Sequence, residues 1–170
     1  PVYSIGIGIV ASITSLELFT SALVLNGFFF ALLTWSFVSL VQCTSADKRI
    51  AVIGALTILL YPQINEYRYL IIRDPGFWAF GFFAIWRFVK LYQNTSLEKD
   101  WLLTLPVIIG FLVAGLFRGE ALLYLFLLPF ALLIKPKQEQ QLRKKRFINC
   151  SGLIIAFLLS AYLLLRLLGF

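Results

Sequence analysis

Two short polar stretches interrupt an otherwise apolar chain, and they hold the side chains best suited to chemistry. The first runs Tyr61-Pro62-Gln63-Ile64-Asn65-Glu66-Tyr67-Arg68-Tyr69-Leu70-Ile71-Ile72-Arg73-Asp74-Pro75-Gly76, and the second is Arg118-Gly119-Glu120. Their carboxylates, Glu66, Asp74 and Glu120, are of the type that takes a proton from an acceptor hydroxyl. Their guanidinium groups suit phosphate, because the planar fork can hydrogen-bond two oxygens at once. Pro62 can open a helix and Pro75 disfavours helix at Asp74, which predicts one bounded short helix between them. On that helix, at ~100° per residue, Glu66 and Arg73 lie within about 20° of each other and Asp74 within about 80° of Glu66. Arg68 points the opposite way, and Tyr67, Leu70 and Ile71 form a row suited to membrane contact. Glu66 and Asp74 are thus the candidate catalytic carboxylates; Arg73, Arg118 and Glu120 are the candidate substrate contacts. The competing structural reading makes Arg73–Asp74, Glu66–Arg73 and Arg118–Glu120 ion pairs that render loop ends tolerable near lipid, and gives Arg68 an ion pair or a lipid headgroup.

Other chemistries have no residues to run them. There is no His, which removes imidazole acid–base catalysis and His-ligated metals within these residues. Cys43 and Cys150 are far apart in sequence and form no CxxC pair. No cofactor is required; the carboxylates are compatible with a divalent cation, but nothing in the pattern demands one.

The elements that position these residues follow from composition. The 170 residues are 61% hydrophobic and 14% charged, with a mean hydropathy of +0.90. A chain this short has too little interior to hide so much apolar surface from water. The expected fold class is all-α: a polytopic transmembrane helical bundle, one domain over residues 1–170, with about six spans. The spans read as Glu17–Val41, Arg49–Tyr61, Phe77–Leu91, Leu102–Phe117, Ala121–Ile134 and Phe147–Leu168. Pro1–Ser15 reads as an interfacial or truncated helix. A single helix over Trp101–Ile134 would be ~50 Å long, too long for one crossing, so two short helices joined at Arg118-Gly119-Glu120 are expected. Spans of ~15 residues reach only ~22 Å against a hydrocarbon core of ~30 Å, which would leave that turn below the bilayer surface in a polar cavity. Ionisable groups at such depth are costly and point to function.

Sidedness follows from basic residues. The loop over residues 135–146 carries six of the fifteen Lys and Arg and is expected to be cytoplasmic. Alternation then places Lys48, Arg49, Arg87, Lys90 and Lys99 on the same side, eleven in all. Arg68, Arg73, Arg118 and Arg166 remain for the other face. The net charge of +7 therefore needs no nucleic acid, since anionic lipid headgroups serve as its partner. Arg87, Lys90 and Arg166 are expected to snorkel to an interface, and Trp78, Trp86 and Trp101 to lie in an aromatic belt at span ends. Glu17 stands at a helix start, where an acid complements the dipole. The sequons Asn94-Thr95-Ser96 and Asn149-Cys150-Ser151 map to the cytoplasmic side. A chain that opens on Pro1 and stops in an apolar run at Phe170 reads as a piece of a longer protein.

The run Asn65-Glu66-Tyr67-Arg68-Tyr69-Leu70-Ile71-Ile72-Arg73-Asp74, followed by Phe77-Trp78-Ala79-Phe80, resembles the outer-face segment of polytopic GT-C glycosyltransferases. It is similar to members related to dolichyl-phosphate-mannose protein mannosyltransferases and to bacterial transferases that use polyprenyl-phosphate sugars. Leu116-Phe117-Arg118-Gly119-Glu120-Ala121-Leu122 is similar to an Arg-x-Glu turn of the bacterial members, and Pro1-Val2-Tyr3-Ser4 and Leu25-Asn26-Gly27-Phe28-Phe29 to the stretch after their first outer loop. The resemblance implies transfer of a sugar from a lipid-linked donor to a glycan, lipid or protein acceptor on the non-cytoplasmic face of a bacterial inner membrane. It places Asp74 as the second outer-face acid, Arg73 and Arg118 as phosphate contacts, Glu66 and Glu120 beside them, and the main catalytic base ahead of Pro1. Two further readings use the same charges: a transporter or flippase of lipid-linked sugars, which calls for charges within spans or a broken-helix pair at midplane, and a non-catalytic membrane scaffold subunit.

Overall fold

The computed structural model describes residues 2–45, 47–94, 100–133, 144–145 and 147–156. Among these the protein is all-helical: α1 (Val2–Thr14), α2 (Leu18–Thr44), α3 (Lys48–Leu60), α4 (Pro62–Tyr67), α5 (Asp74–Gln93), α6 (Asp100–Phe117), α7 (Ala121–Ala131) and α8 (Phe147–Ala156). Among the described residues, helices stand where spans were expected. One of them, α2, is long and apolar enough to cross a membrane by length and composition. Helix α5 has 20 residues, a length of ~30 Å, but carries Arg87 and Lys90 within it. The basic loop expected over 135–146 lies outside the described residues apart from Lys144 and Lys145, as do Lys99, Arg166 and the far half of the last expected span.

The register of the bundle follows from named contacts. Helix α1 turns back through Ser15, whose φ of 57° makes the reversal, and runs antiparallel to α2. Its Tyr3 hydroxyl donates to Asn26 Oδ1 at 2.9 Å. Helix α3 also lies antiparallel to α2, brought close where Gly54 meets Val41. Helix α5 instead runs parallel to α2: Phe29 meets Phe80 near one end, Trp35 meets Trp86 further along, and Gln93 Nε2 donates to the Cys43 carbonyl at 2.7 Å at the other end. Helix α6 returns antiparallel to α5, so close at Gly110 that an added Cβ would lie 2.8 Å from the Ala84 methyl.

Two apolar clusters hold these helices. One gathers Phe29, Phe30, Leu33, Ile58, Ala79 and Phe117 beneath the polar stretches. The other joins Phe88, Leu91, Val107, Phe111, Leu125 and Ile154 at the far half of α5 and α6. The exterior is apolar too, with large side chains such as Leu18, Ile53, Leu60, Leu123, Leu127 and Phe130 exposed. Exposed apolar side chains of this kind occur on α2, α3 and α7.

The structure corrects two expectations here. The polar stretch is not one helix from Pro62 to Asp74. Helix α4 ends at Tyr67, the chain turns through 68–73, and Pro75 sits in the first turn of α5. Proline is well tolerated at that point because its missing N–H has no intrahelical partner there, so Pro75 opens a helix where it had been expected to close one. The shared face of Glu66, Arg73 and Asp74 is therefore lost. Trp86 is not in an interfacial belt either: it is buried, with its ring against Trp35 and Phe83.

Candidate functional site

The first turn of α5 and the turn between α6 and α7 meet at one end of the bundle. Their closeness depends on Gly76, where a Cβ would fall 2.6 Å from the Phe117 ring. No larger residue leaves room for Phe117, itself buried between Phe29 and Phe80. With the backbones so apposed, Arg118 Nε reaches Asp74 Oδ1 at 3.4 Å and Glu120 Oε2 at 3.5 Å. The guanidinium also lies over the Phe77 ring, 5.7 Å from its centroid. One cation is thus held between two carboxylates and an aromatic face. Asp74 lies in the first turn of α5, where the helix dipole favours a negative charge.

The group stands below the tip of the α1–α2 hairpin. In the parallel register of α2 and α5, Phe80 stands opposite Phe29 and Trp86 opposite Trp35, so Asp74, six residues before Phe80, stands near residue 23 of α2. That level is about five residues from Leu18, or ~8 Å along α2. The α1–α2 hairpin extends past it and presents Ile9, Ile13, Leu16, Leu18 and Phe19 outward. The short helices α6 and α7 and the tight turn between them had been expected, and they produce this step. Arg118 and Asp74 remain about one-third exposed and Glu120 two-thirds exposed, so the group is open to a ligand.

Not all the residues expected in the site arrive there. Asp74, Arg118 and Glu120 come together, and the Arg118–Glu120 pair forms as the structural reading anticipated. Glu66 and Arg73 are exposed and make no ion pair with described residues, so neither Glu66–Arg73 nor Arg73–Asp74 is formed. The reason is the break after Tyr67, which removes the helical register that aligned them. Glu17 stands at the N-cap of α2 without a side-chain cap bond. Among the described residues no group of three or more Asp, Glu, Cys or His is placed to hold a metal ion.

Comparison with models of known protein families, with curated proteins and with solved structures finds no match to this chain.

Sequence reasoning missed Asn26. It is buried on α2 and uses both ends of its amide: it accepts from Tyr3, and its Nδ2 donates to the carbonyls of Leu70 at 2.9 Å and Arg68 at 3.3 Å. These bonds fasten the non-helical stretch to α2 and supply donors that the broken helix no longer provides. A lone polar residue in the apolar run Leu25-Asn26-Gly27-Phe28 was the available signal, since a buried amide must find partners.

Proposed function

We propose that the chain is a multi-helix membrane segment of a glycosyltransferase that uses a polyprenyl-phosphate sugar as donor, and that Arg118 receives the donor phosphate. The observation that supports this reading most is the meeting of Asp74 and Arg118, from distant parts of the sequence, beside apolar helices. A lipid carrier lying against those helices brings its phosphate to Arg118 without leaving the bilayer. Asp74 and Glu120 hold the guanidinium in direction, and donor phosphate displaces the more exposed Glu120 from it. As the leaving phosphate gains charge in the transition state, an already oriented cation stabilises it with little reorganisation. Asp74 faces the same space and is the carboxylate available to orient an acceptor. The several apolar helices would then cross or enter the membrane together, with the Lys48–Arg49 end inside and the Arg118 turn at the other face.

The test is sugar transfer from polyprenyl-phosphate hexoses by the full-length protein in native membranes. Asp74→Asn and Arg118→Ala are each expected to lower turnover by roughly 100-fold or more, the scale for removing one pre-placed electrostatic contact. Their unfolding temperatures in detergent should stay near that of the wild type. Wild-type turnover in either variant overturns the assignment.

A further inference from the structure

A second cation occupies a built position on this protein, away from the Arg118 group. The backbone of Arg68 is fixed by Asn26, which donates to its carbonyl. Its guanidinium lies over the ring of Phe30, 5.8 Å from the centroid, and Phe30 is one turn beyond Asn26 on α2. One face of α2 therefore holds both ends of the residue. Arg68 is exposed and forms no ion pair with described residues, unlike Arg118.

From Arg68 a groove of about 390 Å³ runs along α2, walled on its other side by Ile58, Leu59 and Ile64. Its floor on α2 is Gly27, Ala31 and Thr34, with Trp35 at the far end. The spacing is that of one helical face, and its small residues make the hollow. The path from Gly27 to Trp35 is eight residues, ~12 Å, enough for the upper part of an acyl chain. A positive group at one end of an otherwise apolar trough is complementary to an amphipathic anion, with phosphate on Arg68 and hydrocarbon toward Trp35.

We propose that this groove is a binding site for an anionic phospholipid, its headgroup phosphate on Arg68 and one acyl chain between α2 and α3. The site rests on the membrane reading above but not on glycosyl transfer, and it differs from the donor site in its cation, its aromatic partner and its walls.

The test is photo-crosslinking of the wild-type chain in lipid nanodiscs containing phosphatidylglycerol or phosphatidylcholine with a diazirine in the acyl chain, followed by peptide mapping. Labelling at Thr34, Trp35 and Leu59 is expected to be several-fold stronger with phosphatidylglycerol. Arg68→Gln should remove that preference. Gly27→Leu, which projects into open space since nothing lies within 4 Å of a Cβ there, should lower labelling by both lipids. Circular dichroism of each variant checks that the helices persist. Equal labelling by the two lipids, an unchanged preference in Arg68→Gln, or suppression of it by millimolar inorganic phosphate alone would overturn the proposal. Arg118→Ala should leave the labelling unchanged, so failure here and failure of the transferase reading are separable.

Discussion

The two ends of α5 treat positive charge in opposite ways. At its first turn, Arg118 is held by Asp74 and Glu120 and also covered by Phe77. Toward its last turns, Arg87 and Lys90 lie over a single ring, that of Trp86, at 5.4 and 4.6 Å. No carboxylate among the described residues pairs with either of them, and Arg87 Nε and Trp86 Nε1 are buried without a hydrogen-bond partner there. An aromatic face attracts a cation but leaves its hydrogen-bonding direction open. A carboxylate fixed at a helix start sets that direction. The comparison separates a guanidinium whose direction is fixed by two carboxylates from cations whose direction is left open.

The largest effect expected from breaking this contrast is at Arg118. Arg118→Ala should remove donor use as described above, and Arg118→Lys should recover only a small part of it, because an ammonium cannot present two parallel donors. Transfer rates at saturating donor distinguish the two.

Next is the contact that brings the α5 start to the α6–α7 turn. Gly76→Ala places a methyl against the buried Phe117 ring, and overpacking of this kind costs about 1–3 kcal/mol. The unfolding midpoint in detergent should fall, and turnover with it, while the corresponding change at Gly81, where nothing lies within 4 Å of a Cβ, should be tolerated.

Asn26→Leu tests the fastening of 68–70. It leaves the Tyr3 hydroxyl and two carbonyls without their partner, for an expected loss of about 1–3 kcal/mol. Hydrogen exchange at Tyr69–Ile72 should quicken more than exchange at α6.

The smallest effects belong to the residues outside the Arg118 group. Glu66→Gln should change turnover less than twofold, and Arg87→Gln should lower stability by about 1–2 kcal/mol, the worth of a cation–π contact at a half-buried site. A large loss of transfer in either would dissolve the distinction between the two ends of α5.

Much of this layout was legible in the chain. Apolar runs bounded by Arg49, Pro62 and Arg118-Gly119-Glu120 located the helices, because burial of helical faces and the need to turn at polar residues are local properties. Asp74, Arg118 and Glu120 were legible as candidates because few charges interrupt those runs. What the sequence concealed was nonlocal. Pro75 is compatible with ending one helix or opening another, and only the bonds from Asn26 to Arg68 and Leu70 favour the break that displaces Glu66 and Arg73. The pairing of Asp74 with Arg118 depends on Gly76 against Phe117, 41 positions apart. Trp86 misled for a similar reason: a tryptophan near basic residues suits an interface, but Trp35 and Phe83 enclose this one.

The most direct measurement is phosphorus-31 NMR of a short-chain polyprenyl phosphate titrated with the wild-type chain and with Arg118→Ala, Arg68→Gln and Glu66→Gln in the same detergent. An Arg118 that receives donor phosphate predicts a shifted resonance with the wild type, with Arg68→Gln and with Glu66→Gln, and its loss with Arg118→Ala. The same shift in Arg118→Ala as in the wild type would contradict the account.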